Sequence, residues 1–260
     1  MSLRAKNYYR ANSIEDAYNK LQENPKNAII AGGLWMKKIG SSYDTLIDLC
    51  DAGLNQIKED KGYIYVGAMV SLRDFENSSI ISKLFSGATA FAVREVMGPA
   101  FRNSATIGGS IFGRYPFSDV IAGLLPLDVA VELYPKQEMS LEEFLNLRGK
   151  INGILKEIKI RKEEGRGYFK KVKTTALDFP MLNISIVKRS GKNYIAIGSR
   201  PIVAALAKQA MALADQGKYE EAADMASEEL QYLDSSNISK EYRQDLVKVY
   251  VRRGLQEVNK

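Results

Sequence analysis

The chain has 260 residues, 45% of them apolar and 26% charged, and carries a formal charge of +6. These proportions exclude a disordered or fibrous protein and leave room for one large domain or two modest ones. With no histidine and a single cysteine, Cys50, the chain can form no internal disulfide, no four-cysteine zinc site, no self-contained iron–sulfur cluster and no Ser/His or Cys/His pair. Any enzymatic chemistry must lean on a cofactor or on carboxylates and lysines.

The opening stretch MSLRAKNYYR has no apolar core of the kind a signal peptide needs. The longest apolar run, VIAGLLPLDVAV from residue 120, is too short to cross a bilayer and holds Asp128. A soluble, cytoplasmic protein with no membrane association is expected. The first helix begins after Ser13 as cap, with Glu15 and Asp16 in its first turn, Ile14, Ala17 and Leu21 on one side, and Pro25 as its stop. AIIAGG follows as a short buried strand, and Leu34 to Ile39 can begin a helix. Cys50, with no activating neighbour, reads as a small buried residue.

GYIYVGAM (62–69) alternates as a strand, and Ser71 with Asp74 opens a helical region continuing toward FAVREVMG (91–98). DVAVELY (128–134) is another strand, and Ser140 with Glu143 forms a capping box for a short helix through Leu147. GILKEIKI (153–160) alternates again before RKEEGRG breaks the pattern, which marks a domain boundary there. Beyond it, LNISIV and KNYIAIG flank Ser190-Gly191 as a hairpin. The remainder reads as three helices: RPIVAALAKQAMALADQG with Pro201 near its first turn, KYEEAADMASEEL, and SKEYRQDLVKVYVRRGLQEV with Tyr242, Leu246, Val249 and Val251 near one face.

The charge is local. Residues 156–175 hold eight Lys/Arg against three Glu, so five of the six net positive charges lie there. Such a run suits a bound phosphate, an acidic partner or a solvated linker. No nucleic-acid-binding motif accompanies it, so a nucleic-acid partner is not expected.

Two glycine pairs carry the functional signal. Gly32-Gly33 ends the AII strand, and Gly108-Gly109 follows SATI, with the Ser110 hydroxyl beside it. Glycine admits positive φ and lets a ligand approach bare backbone, and converging N–H groups in such a turn hold anionic oxygens. A lone Gly-Gly pair is most often just a turn. Neither loop is G-x-x-x-x-G-K-[ST] or G-x-G-x-x-G, so neither a Walker-type hydrolase nor a Rossmann domain is supported. Two separated pairs suggest instead one cofactor threaded between two subdomains.

AGGLWMKKIG, RNSATIGGSIFGRYPFSDV and the closing SKEYRQDLVKVYVRRGL together resemble the FAD-binding subunit of the xanthine dehydrogenase and carbon monoxide dehydrogenase family of molybdenum hydroxylases. LDVAVELY, LKEIKI and GYFKKV lie between these motifs in the same order, so the resemblance covers nearly the whole chain. It implies an α+β fold: a PCMH-type, vanillyl-alcohol-oxidase-like FAD domain of two subdomains over residues 1–163. A smaller domain of antiparallel sheet plus helices would follow over 164–260.

By motif position the resemblance places the FAD pyrophosphate against Ile29, Ile30, Ala31, Gly32, Gly33, Leu34, Trp35 and Met36 on one side. Thr106, Ile107, Gly108, Gly109 and Ser110 lie on the other. It puts Asp119 toward the ribose or adenosine end, where the alternative is a helix cap. Lys170 approaches the flavin, with Lys171 as the competing match, and Leu155 packs near it. No catalytic residue and no metal ligand is implied. Where the family has Thr and Asp or Ser in the first loop the chain has Leu34 and Trp35, and where it has Asn after the second pair the chain has Ser110.

The implied role is electron transfer: flavin chemistry supplied by the cofactor, position and electrostatics by the protein. The implied partners are an iron–sulfur subunit and a molybdopterin subunit, with NAD or another electron acceptor. The departures keep a second reading open, a flavin-free structural or docking subunit of the same fold.

Overall fold

A computed structural model describes residues 3–260, with Lys38 and Ile39 described by backbone alone; Met1 and Ser2 of the opening stretch lie outside the described residues. In chain order the first elements are β1 (Arg4–Arg10), α1 (Ile14–Gln22), β2 (Ala28–Ile30), α2 (Leu34–Ile39), β3 (Ser42–Asp48), β4 (Ile57–Asp60) and β5 (Tyr63–Gly67). Next come α3 (Leu72–Asn77), a 3₁₀ segment (Ile81–Gly87), α4 (Ala88–Arg94), α5 (Pro99–Ser104), α6 (Ile107–Phe112) and α7 (Asp119–Leu124). The middle of the chain gives β6 (Val129–Tyr134), β7 (Gln137–Ser140), α8 (Leu141–Asn146) and β8 (Ile154–Arg161). It closes with β9 (Gly165–Val172), β10 (Leu182–Arg189), β11 (Lys192–Gly198), β12 (Ala205–Leu206), α9 (Lys208–Ala214), α10 (Tyr219–Glu229) and α11 (Lys240–Val258).

These elements group into two compact units. The first comprises residues 1–74, 99–112 and 129–160, and the second comprises 75–98, 113–128 and 161–260.

The first unit contains two sheets. A three-stranded parallel sheet has the order β1-β3-β2, and parallel neighbours need the crossovers that α1 and α2 provide. Ser13 caps α1 by accepting from the Asp16 N–H, as its sequence predicts. Only the central strand, β3, buries its apolar residues, Leu46 and Ile47. β1 is an edge strand whose residues are almost all exposed, so it lacks the alternation by which a strand is read. Cys50, two residues past β3, is exposed rather than buried. Desolvation and the Asp48 carboxylate hold its thiol above the usual range.

The second sheet of this unit has five strands in the order β4-β5-β8-β6-β7. β6 alternates buried and half-buried side chains along its length, the period-two pattern its sequence predicts. Ser140 and Glu143 close the expected capping box at α8, with the Glu143 carboxylate accepting from the Ser140 N–H at 2.8 Å. Replacing Ser140 with Ala is expected to cost about 1 kcal/mol, read as a lower urea midpoint with an unchanged slope.

The second unit is built on an antiparallel sheet, β12-β11-β10-β9, packed by helices α9, α10 and α11. Its core joins Ile184, Ile186, Ile195 and Ile197 to Val247, Val251 and Leu255. β10 has α11 and α7 against it, which explains why its first six residues are all buried. The hairpin turn falls at Ser190-Gly191, both at positive φ, the conformation tight hairpins require.

Three expectations are corrected here. Residues 165–167, the end of the RKEEGRG break, open strand β9 instead, because backbone pairing with β10 outweighs their charge and glycine content. Residues 201–207 are not helical: Ala205–Leu206 extends the sheet as β12 and α9 begins only at Lys208. The helical region from Ser71 is interrupted, with Leu84 extended and Phe85 and Ser86 left-handed.

The last helix also turns differently. Its buried face is Arg243, Val247, Val251, Leu255 and Val258, one ridge at mostly i, i+4 spacing, while Tyr242 is 56% exposed. Arg243 is fully buried and donates to the carbonyls of Met181 and Leu233 and to Ser235 Oγ. Ser239, four residues earlier, caps the same helix through the Tyr242 N–H. The S-x-x-Y-R pattern is thus a capped helix followed by a clamp on two loops. Arg243→Lys, which keeps the charge but loses the fork, is expected to cost about 2 kcal/mol, measured by urea unfolding.

Candidate functional site

Gly32-Gly33 lies where β2 ends and α2 begins, inside a parallel β2-α2-β3 unit. Gly33 has φ +65 and occupies the N-cap position of α2, and no side chain caps that helix. The first-turn N–H groups of a helix have no intrahelical acceptor, and a strand-to-helix turn that offers them is suited to anionic oxygens. Residues Ile29 to Met36 are each only half-buried.

The second pair is brought to the first. A Cβ on Gly32 would lie 1.8 Å from the Ser104 carbonyl oxygen and 3.3 Å from the Ala105 nitrogen. No side chain fits there, so the two loops meet through bare backbone. Ala105 accepts from the Leu72 N–H and Ile107 donates to Val70, which ties the second loop to the chain leaving β5. Gly108 is equally constrained, because a Cβ on it would come within 2.6 Å of the Ala68 side chain. Ala68 in turn donates to Lys156, the residue after Leu155, itself buried in β8.

The second loop differs from an open nest. Its Ile107, Gly108, Gly109 and Ser110 N–H groups donate to Val70 O, Ala68 O, Thr106 Oγ1 and Thr106 O respectively. The Ser110 hydroxyl donates to Thr106 O at 2.8 Å and is not offered outward. Gly109 is exposed, and a Cβ there would meet only Thr106 Oγ1, at 3.1 Å. The loop therefore acts as a braced glycine wall beside the first, which contributes the uncapped helix start.

Asp119 belongs to the second unit. Ser118, not Asp119, caps α7. Asp119 is buried, with Oδ2 2.7 Å from Lys171 Nζ and Oδ1 accepting from Asn183 Nδ2 at 2.9 Å. Lys171 also donates to the Glu95 carbonyl, and both charged side chains are only 3% exposed. Burial pushes the Asp119 carboxyl above its usual range, against the pull of Lys171 and Asn183. Lys170 lies instead over the Tyr250 ring, 5.3 Å from its centroid. Of the two adjacent lysines, Lys171 is the one built into a buried polar cluster.

The basic run is divided between the two units. Lys156 pairs with Glu132 and Lys159 covers the Tyr63 ring in the first unit, while Lys173 pairs with Glu95 in the second. Of the buried polar residues, Lys171 is the competing match to Lys170 and Arg243 lies in SKEYR, while Asn183 carries no sequence signal.

An FAD fits the first unit on three observations: the uncapped start of α2 at Gly33, the Gly32 position that admits no Cβ, and the exposed glycine at 109. Pyrophosphate is the group such a turn accepts. Among the described residues, no helix is long and apolar enough to cross a membrane.

Comparison with known proteins points to the same cofactor. Residues 3–161 match the family described as the FAD binding domain in molybdopterin dehydrogenase. The xanthine dehydrogenase FAD-binding subunit of Escherichia coli O157:H7 is 27% identical over 133 residues, 49% of this chain and 45% of that protein. The nicotine 6-hydroxylase medium subunit of Paenarthrobacter nicotinovorans is 33% identical over 116 residues, 43% and 41% of the two. The matches span about half the length of these curated relatives.

Among solved structures, quinoline 2-oxidoreductase from Pseudomonas putida 86 superposes with a TM-score of 0.88 at 20% identity, covering 99% of this chain and 98% of the other. Carbon monoxide dehydrogenase from Oligotropha carboxidovorans gives 0.87 at 22% identity, covering 99% of each. These show a shared mixed α/β fold. With more than half of its length matched, the chain belongs to the family of FAD-binding domains of molybdopterin dehydrogenases.

Proposed function

We propose that this chain is the FAD-carrying electron-transfer subunit of a multi-subunit molybdenum hydroxylase. The observation that carries the reading is the side-chain-free contact of Gly32 with Ser104, which places an uncapped helix start and a glycine wall together. FAD, when bound, supplies the two-electron redox chemistry. The chain's own residues bind and orient it. The α2 first turn takes the pyrophosphate, aided by the +65° φ of Gly33, and the apolar run Ile29 to Met36 shields it. Gly108 and Gly109 set the opposite wall, and Leu155 backs the site from β8.

The finer parts of the reading belong here as well. The fold is of the PCMH type with two subdomains up to about residue 163 and a C-terminal domain from 164. Electrons arrive from an iron–sulfur subunit, after a molybdopterin subunit has oxidised the organic substrate, and leave to NAD or another acceptor, in the cytoplasm. The test is to purify the chain with its partner subunits and add an N-heterocyclic substrate in the absence of an acceptor. The flavin absorbance should bleach and return when NAD is supplied. A flavin that stays oxidised while the iron–sulfur signals reduce would contradict the proposed role.

One observation favours a second reading, a flavin-free docking subunit. All four N–H groups of residues 107–110 are already donated within the protein, and Leu34 and Trp35 stand where the family has polar residues. That reading expects assembly with the partners at full stoichiometry without any FAD.

A further inference from the structure

In the second unit, the N-terminal half of β9 and helix α4 enclose an open cavity of about 430 Å³. Ser82, Ser86, Phe91, Arg94 and Tyr168 line it, together with Gly167. Among the described residues no carboxylate lines it, and Arg94 is the only charged one. Phe91 is 45% exposed and packs edge-on against Phe169. Tyr168 borders it as part of β9 while its ring packs against Gly254 and Ile186, and Phe169, on the opposite face of the strand, turns toward α4.

One wall is made of strained backbone. Phe85, Ser86 and Gly87 are consecutive left-handed residues, with φ of 47, 56 and 81, and a left-handed conformation costs a non-glycine residue about 1 kcal/mol or more. The turn is held against Gly167: a Cβ on that glycine would lie 2.8 Å from the Phe85 carbonyl oxygen and 2.7 Å from the Ala88 side chain. The strained turn carries Ser86 to the cavity. Strain of this kind concentrates where a backbone is shaped around a ligand.

We propose that this cavity binds a small aromatic monocarboxylate. One guanidinium matches one carboxylate in a bidentate pair, the Ser82 and Ser86 hydroxyls supply neutral donors, and the Phe91 ring, backed by Phe169, offers an apolar wall to a planar body. The volume suits one or two fused rings. The site lies entirely within the second unit, and the proposal stands independently of FAD binding.

The test is calorimetric titration of the full chain, as purified, with benzoate. Saturable binding of one benzoate per chain is expected. Its neutral isostere benzamide should bind at least about tenfold more weakly, since a charge-assisted hydrogen bond is worth roughly that factor. Arg94→Gln and Phe91→Ala should each weaken benzoate by about tenfold or more, and both positions are exposed, so folding is preserved. Lys83→Gln removes a neighbouring exposed cation that does not line the cavity, and should change nothing. No saturable binding, equal affinity for benzamide, or equal losses in the Lys83 and Arg94 variants would overturn the proposal.

Discussion

Gly109→Leu should lose FAD without losing the fold. Gly109 is exposed and not at positive φ, and a Cβ there meets nothing nearer than Thr106 Oγ1 at 3.1 Å. The larger side chain therefore grows into the space beside the first loop rather than into packed protein. FAD affinity should fall by about a hundredfold or more, the loss expected when a steric block costs roughly 3 kcal/mol, with the unfolding midpoint within a few degrees of wild type.

Gly32→Ala is the contrasting variant. Its Cβ would overlap the Ser104 carbonyl, so the two loops must separate. Destabilisation of about 3 kcal/mol is expected, a Tm drop of roughly 6–12 °C for a chain of this size, together with loss of FAD. FAD titration and thermal unfolding of both variants separate the effects. Gly109→Leu binding FAD as wild type would mean that the second loop does not border the cofactor.

The second large effect concerns the buried pair of Lys171 and Asp119. Lys171→Met strands a buried carboxylate that keeps only Asn183 as a side-chain partner. Breaking such a pair from one side costs about 3–5 kcal/mol. Replacing both, in Lys171→Met with Asp119→Leu, removes the charge along with its partner, and stability should return to within about 2 kcal/mol of wild type. Urea unfolding of the two single variants and the double variant closes the cycle. Simple additivity of the two losses would show that the charges do not depend on each other.

These expectations rest on structure that the sequence reveals unevenly. Where a local rule has no competitor, the reading holds: the Ser13 cap, the Ser140–Glu143 box, the alternation of β6 and the Ser190-Gly191 turn are all settled within a few residues. It fails where a distant partner decides. β1 is invisible because both its faces are largely exposed and only pairing with β3 defines it. β9 is masked by its lysines, and 201–207 by helix-forming alanines that the sheet edge overrules.

For the site, the two glycine pairs are legible as candidates because glycine is the residue such turns require. That Gly32 faces Ser104 across 72 positions is not legible, since nothing local encodes the contact. Nor is the choice between Lys170 and Lys171 for burial, which depends on the face β9 turns toward Asp119 and Asn183. The hydrogen bonds that occupy residues 107–110 are likewise set by Ala68 and Val70, residues with no motif of their own.

The central claim is that the bare backbone at the two loops is shaped for a dinucleotide. The most direct measurement is the visible spectrum of the purified chain, before and after adding FAD, with mass analysis of any cofactor released on denaturation. The account predicts flavin absorbance at about one FAD per chain, since a preformed turn of this kind recognises pyrophosphate. A colourless chain whose spectrum is only that of free FAD after addition would contradict it.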